Sequence, residues 1–277
     1  MYFSDPGARL LVLIVSLTGA GASSASAQAM KVPGETATVS HVTKPTALKA
    51  TPELIAGLKV PAGFRIQSFA EGLKSPRVIS VAGDGRVYVS SRDEGTIVML
   101  GGDGKSGSAK TVLRKKDLHG IAILKRTIFY TTVREVFSAP LMPDGSIGKE
   151  RRIAGDLPDA GQHANRTLGF APDGMLYLSI GSTCNACEER NPENATIIRM
   201  HPDGSRREVF ASGLRNTIGF AWQPDTADLY GLDNGIDAAG DDEQKEELNR
   251  LERGKKYGWP YVHGDGLKDS ADRNGAD

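Results

Sequence analysis

Short apolar segments separated by polar turns fill the chain from residue 64 to about residue 262. Four of them align with one another, at 79–88, 121–130, 168–177 and 218–230. In the first three, a leading aliphatic residue and a tyrosine stand nine positions apart; the fourth has three extra residues in its turn. Each segment reads as a short strand, a turn and a second strand ending in tyrosine. Asp84-Gly85 and Asp173-Gly174 supply the Asp-Gly pair that favours a hairpin, because glycine accepts the positive φ such a turn needs.

The tyrosines Tyr88, Tyr130, Tyr177 and Tyr230 recur at intervals of 42, 47 and 53 residues. A third strand follows each of the first three, at 96–100, 136–141 and 195–200, and runs into a further Asp-Gly turn at 103–104, 144–145 and 203–204. A fourth stretch, such as 110–113 or 207–210, completes the unit. Four short strands repeated every 40–50 residues or so predict an all-β fold, a β-propeller of four-stranded blades. The alternative is an all-β sandwich, which the fixed nine-residue offset argues against. About four blades fill 64–262, and the polar stretch 265–277 brings no closing strand, so the chain reads as the front part of a longer propeller.

The first 27 residues read as a secretory leader, with Arg9, an apolar core over 10–17 and Ala25-Ser26-Ala27 as a small-residue cleavage site. Residues 28–60 read as a linker or lead-in, and 61–277 as the propeller. No second apolar segment follows, so the expected product is periplasmic or secreted, with no membrane span once the leader is removed. The composition sharpens this. Lys and Arg number 34 and Asp and Glu also 34, a balance that lacks the basic surplus a nucleic-acid binder needs. Hydrophobic residues make up 39% and charged residues 25%, as in a globular protein, and 33 glycines accord with many turns.

In a propeller the innermost strands start near a central channel. Two positions before each leading aliphatic stand Arg77, His119, Arg166 and Asn216, with His163 and Arg215 slightly earlier in their units. Their expected convergence would make one axial polar site, although strand starts near solvent are polar anyway. The run 233–247 carries seven carboxylates in fifteen residues, interrupted by glycine. Such a loop offers the hard oxygens that calcium prefers; without a metal it reads as a solvated loop leading into a short helix at 243–252. Cys184 and Cys187 lack further ligands at zinc spacing, and position 188 is Glu rather than the His of a haem-attachment motif, so a local disulfide is expected. Asn165 and Asn194 begin short patterns that match glycosylation acceptors.

With these pieces placed, the sequence resembles the glucose/sorbosone dehydrogenase family, and its sorbosone branch most. The resemblance covers about residues 60–265. It rests on GQHANRTLGFAPDG at 161–174, GSTCNAC at 181–187, GLRNTIG at 213–219, DNG at 233–235, GDD at 240–242, EELN at 246–249 and YGWP at 257–260. It implies a six-bladed propeller that uses pyrroloquinoline quinone (PQQ) and calcium to oxidise a sugar or sugar-derived aldehyde, passing electrons to an external acceptor. It implies His163 as the base that takes the hydroxyl proton while hydride passes to the quinone. Arg215 and Asn216 would hold the quinone oxygens, Asn234 a further cofactor contact, and the axial His119 and Arg166 would join them. Carbonyls of Gly235 and Ile236 would bind the calcium beside the cofactor; Asp242, Glu247 and the Tyr257 carbonyl would form a structural calcium site. Gln162 stands where the glucose-oxidising branch has an acidic residue, and Ile236 where it has proline. The family also brings lysines and arginines from later blades onto the cofactor. Two other functions fit a propeller: a calcium-dependent lactonase, which would want several axial carboxylates, and a non-catalytic or inactive form.

Overall fold

Alternation decides how these strands pack. Successive side chains of a strand point to opposite faces, so a blade buried on both sides must be apolar at nearly every position. The second strands of the first and third blades, Val87–Ser91 and Leu176–Ile180, are buried at all five positions. In the computed structural model, which describes residues 9–13, 27–30, 38–41, 46, 48–101, 109–159, 161–236, 245–264 and 267–268, four antiparallel sheets form from consecutive strands.

The first blade comprises Pro76–Val81, Val87–Ser91, Thr96–Leu100 and Lys110–Arg114. The second comprises Ile121–Leu124, Thr127–Thr131, Val136–Pro140 and Arg151–Ala154. The third comprises Leu168–Phe170, Leu176–Ile180, Thr196–Met200 and Glu208–Ser212. The fourth shows three strands among the described residues, Thr217–Trp222, Leu229–Asp233 and Glu247–Leu251. The chain is therefore all-β with a four-blade propeller arrangement, and no described helix is long and apolar enough to cross a membrane.

The core lies between blades. Tyr88 and Ile97 of the first blade pack with Ile121, Ile128 and Tyr130 of the second. The neighbouring Phe129 points to the opposite side and joins Leu168, Leu176 and Leu178 of the third blade. Tyr177 then turns the other way, toward Leu229 and Leu251 of the fourth. The third and fourth blades approach so closely that a Cβ on Gly169 would lie 2.8 Å from Phe220. Tyr88 also donates its hydroxyl to the Gly145 carbonyl at 2.9 Å, a hydrogen bond between the first two blades.

Several expectations need correction. The second strands run past their tyrosines, because Tyr88, Tyr177 and Tyr230 sit near the start of each strand. The shared nine-residue offset also hides two registers. Tyr88 and Tyr177 pair with Ser80 and Gly169, one residue after the leading aliphatic, whereas Tyr130 pairs with Ile121 itself. The first and third hairpins turn through five residues, with Gly85 and Gly174 at φ +87 and +83, while the second turns through Lys125 and Arg126 alone. The stretch 28–60 contains a short helix, Pro52–Ala56, capped by the Thr51 side chain. Residues 247–251 are strand rather than helix, because pairing of Leu229–Asp233 with Glu247–Leu251 overrides the local helical propensity of Glu and Leu. The Asp-Gly turn at 103–104 and most of the leader lie outside the described residues; Arg9–Leu13 pairs in parallel with Phe64–Ser68.

Inter-blade packing predicts unequal costs. Leu178→Ala, at a site with no exposure, should lower stability by about 2–5 kcal/mol. Tyr88→Phe, which removes only the bond to Gly145, should cost about 1 kcal/mol. Urea midpoints at constant slope check both; equal losses would show that the single hydroxyl bond between the first two blades matters as much as apolar packing between the second and third.

Candidate functional site

Four segments meet at one end of the third and fourth blades. His163 closes a single 3-10 turn, Gly161–His163, and is buried. It fits there because position 181 is glycine: a Cβ on Gly181 would lie 2.5 Å from the His163 Cβ. His163 Nδ1 lies 2.9 Å from the Ser182 carbonyl and 2.8 Å from the Ser182 hydroxyl. A carbonyl only accepts, so Nδ1 carries the hydrogen. The Ser182 hydroxyl donates to the Cys184 carbonyl at 2.8 Å, which leaves its own oxygen to accept from the imidazole. In the neutral ring the lone pair therefore resides on Nε2.

Asp233 organises the second half of the site. It ends the strand Leu229–Asp233 on the same buried face as Leu229 and Gly231. Its carboxylate accepts from the Arg215 and Asn216 amides, both at 2.8 Å, and from the Thr217 hydroxyl at 2.9 Å. Burial pushes its carboxyl up to about 6, yet these donors favour the ionised form, which prevails at neutral pH. The Arg215 side chain is thereby started in a fixed direction. Its Nε donates to the Asn185 carbonyl at 3.0 Å, Nη1 to the Asn234 carbonyl at 3.2 Å, and Nη2 to the Asn185 side-chain oxygen. The guanidinium lies 5.7 Å from the centre of the Trp259 ring.

Arg215, Asn234, Gly235, Ile236, Glu247 and Tyr257 line one small cavity together with Asp233 and Trp259. The sequence thus placed six of its candidates around a common space. The lining thus includes two carboxylates, Asp233 and Glu247, oxygens of the hard kind that calcium takes, and a guanidinium, which suits an anionic ligand. Glu247 accepts from the Gly264 amide at 2.6 Å and the Asn249 side chain at 2.9 Å. The Tyr257 hydroxyl is turned away, donating to the Arg250 carbonyl at 2.6 Å and accepting from the Glu252 amide at 2.8 Å. Asp242 lies outside the described residues.

Arg166 and His119 are placed differently from the expected axial funnel. Arg166 has no exposure, and its guanidinium reaches the carbonyls of Val133, Pro158, His163 and Asn165. It binds the backbone that carries His163. His119 is buried with Nδ1 2.8 Å from the Arg166 carbonyl, and burial, with Arg77, Arg92 and Arg166 nearby, lowers it to about 4. It is neutral at physiological pH. Cys184 and Cys187 are bonded to each other as expected, so with Glu189 nearby their sulfurs are not offered to a metal. Asn194 is buried and donates to the Asp159 and Gly181 carbonyls at 3.1 and 3.2 Å, which removes it as a surface acceptor for sugar.

Sequence reading did not single out Ser182, Asn185 or Asp233 for these roles. Asp233 had a usable signal, since a charged residue in register with Leu229 and Gly231 on a core-facing edge needs compensating donors. Ser182 and Asn185 had none, because their partners stand 19 and 30 residues away.

The family described as Glucose / Sorbosone dehydrogenase matches residues 132–273. An uncharacterized protein of Borreliella burgdorferi is 25% identical over 230 residues, 79% of this chain and 60% of the relative. Another from Synechocystis is 29% identical over 169 residues, 52% of this chain and 38% of its own length. The chain thus spans less than two thirds of either curated relative. Among solved structures, the PQQ-bound form of an aldose sugar dehydrogenase from Streptomyces coelicolor is 24% identical, with a TM-score of 0.59 over 73% of this chain and 69% of that one. The calcium structure of a Trichoderma reesei enzyme of carbohydrate-active family AA12 is 23% identical, with a TM-score of 0.61 over 68% and 56%. At these identities the two structures establish the shared fold.

Two outcomes test the site's electrostatics. His119 is lowered in the folded state, so the unfolded chain takes a proton that the folded chain refuses. Stability should fall as pH drops from about 6.5 through 4, by up to roughly 3 kcal/mol. His119→Asn, whose amide can donate to the Arg166 carbonyl, should flatten that part of the stability–pH curve; an unchanged slope would assign the acid loss elsewhere. Asp233→Asn puts an amide nitrogen against donors and should cost about 1–3 kcal/mol in chemical denaturation.

Proposed function

The chain belongs to the glucose/sorbosone dehydrogenase family, and on that premise we propose that it serves PQQ-dependent oxidation of a sugar or sugar-derived aldehyde. The observation that carries this reading is the bridging role of Ser182. Its carbonyl and hydroxyl accept from His163 Nδ1, and its amide donates to the Arg215 carbonyl at 2.8 Å. Ser182 thereby ties an oriented imidazole to the backbone of Arg215, whose guanidinium lines the cavity. The PQQ-bound state of the Streptomyces coelicolor relative and the calcium structure of the Trichoderma reesei one support the same assignment of cofactors.

Arg215, Asn216 and Asn234 would hold the cofactor, and the Gly235 and Ile236 carbonyls the calcium beside it. Glu247 and the Tyr257 carbonyl, with Asp242, would hold a structural calcium. Bound there, the quinone would supply the two-electron acceptor and calcium the Lewis acid that polarises it. The chain's own residues do the rest. His163 takes the sugar hydroxyl proton at Nε2, because Nδ1 already carries a hydrogen held by Ser182. The imidazolium that forms keeps that bond. Arg215 stabilises negative charge on the ligand it faces, and its burial strengthens the effect. His119 and Arg166 support the backbone around the base. An exported location and an external electron acceptor complete the proposal.

The test is a pair of titrations with calcium present: quinone absorbance for binding, and dye reduction by aldoses for turnover. Binding should require calcium. His163→Ala should cut turnover about 10²–10⁴-fold with binding little changed, whereas Arg215→Ala should weaken both, because it removes a charged partner. The titrations are made on the full-length protein, since the family brings further cations to the cofactor from later blades; full turnover in His163→Ala would dismiss it as the base, and failure of the unaltered full-length protein to bind quinone would dismiss the reading.

A further inference from the structure

The loop closed by the Cys184–Cys187 disulfide touches both halves of this site. Asn185, between the two cysteines, presents its backbone carbonyl to Arg215 Nε and its side-chain oxygen to Nη2. Two adjacent edges of one guanidinium are thus held by a single residue. Such a fork needs both oxygens at fixed separation and angle, which a free loop would not keep. Cys184 supplies the carbonyl that takes the Ser182 hydroxyl proton, so the same loop leaves the Ser182 oxygen ready to accept from His163.

The rest of the segment is anchored on both sides. Thr183 donates its amide and hydroxyl to Glu189 at 2.6 and 2.9 Å. The Thr183 carbonyl accepts from the Gln162 amide at 3.0 Å, next to His163. A direct line of hydrogen bonds therefore runs from the turn carrying His163, through 182–185, to Arg215. Closing a ring of so few residues restricts the loop's alternatives, and here those alternatives would release both groups.

We propose that the disulfide-closed loop is a positioning element, in which Asn185 sets the Arg215 guanidinium and Cys184 turns the Ser182 hydroxyl so that its oxygen, beside the Ser182 carbonyl, accepts from His163 Nδ1. What the positioned groups do rests on the dehydrogenase reading; that they are positioned does not.

The experiment compares the unaltered protein with the double variant Cys184→Ser, Cys187→Ser, and with Asn185→Ala and Asn185→Asp. Hydrogen exchange of the Arg215 Nη2 protons, which Asn185 holds through its side-chain oxygen, and the ring-nitrogen shifts of His163 are read by NMR without cofactor, with His163→Gln for assignment. Quinone affinity is read separately by absorbance. Asn185→Ala should speed Arg215 exchange at least tenfold and weaken quinone binding about tenfold, the scale of a hydrogen bond to a charged group. It should leave the His163 tautomer in place. Asn185→Asp, which keeps the acceptor, should restore slow exchange. The double variant should disturb both, with the His163 Nδ1 proton exchanging faster as the Ser182 hydroxyl turns away; should it not fold, Asn185→Ala carries the test, because it keeps the disulfide. Exchange and affinity within twofold of the unaltered protein in Asn185→Ala would overturn the proposal and leave the bridge a local staple. If neither the variants nor the unaltered full-length protein bind quinone, the dehydrogenase reading fails, while the exchange data still decide the positioning.

Discussion

The Asp233 carboxylate accepts from the amides of Arg215 and Asn216 and from the Thr217 hydroxyl, where the third blade hands the chain to the fourth. Burying a carboxylate is costly, and here the cost is offset by donors that the strand start would otherwise leave unpaired. The result is a fixed direction for the Arg215 side chain, which leaves the backbone at the point where the amide is held. The Asn234 amide reaches back to the Asn216 carbonyl at 3.2 Å, and the Asn234 carbonyl takes Arg215 Nη1. One carboxylate on the buried face of a strand thus fixes the start of the Arg215 side chain beside the cavity it also lines.

The polar residues at the other blade starts meet the same physical demand in different ways. Loop backbone that enters a packed interior brings carbonyls that must be satisfied. Arg166 meets four of them with one guanidinium, and His119 meets one with Nδ1. These side chains hold the scaffold around His163. Arg215 has the same chemistry but lies against Trp259 and a cavity. Polarity at a strand start is therefore a common signal with two outcomes, and the difference lies in what the surrounding loops bring near.

The site also links elements that are far apart in sequence. The loop of 184–187 belongs to the third blade, between Leu176–Ile180 and Thr196–Met200. It meets Ser182, which holds His163 before its own blade, and it reaches Arg215 at the start of the next. A rigid sheet on either side keeps these loops in relation, which is how a propeller builds a site from short connections.

The repeat of tyrosines and Asp-Gly turns determined the blades, because hairpin formation depends on neighbouring residues: which positions accept positive φ and which alternate apolar. The family motifs likewise determined most of the cavity lining, including Arg215, Asn234, Gly235, Ile236, Glu247 and Tyr257. Local pattern did not determine register, which is why Tyr130 shares the nine-residue offset but not the pairing of Tyr88 and Tyr177. Nor did it determine that 247–251 would be strand, since a partner strand supplies hydrogen bonds that outweigh local helical preference. Only the tertiary structure decided which polar residues line the cavity and which bind backbone away from it. Arg166 and Arg215 look alike in sequence; burial and partners at separations of 1–33 residues for the one and 18–30 for the other make them a scaffold bolt and a cavity-lining cation. Hydrogen bonds act over about 3 Å whatever the distance along the chain, so folding had to bring those partners together before either role existed.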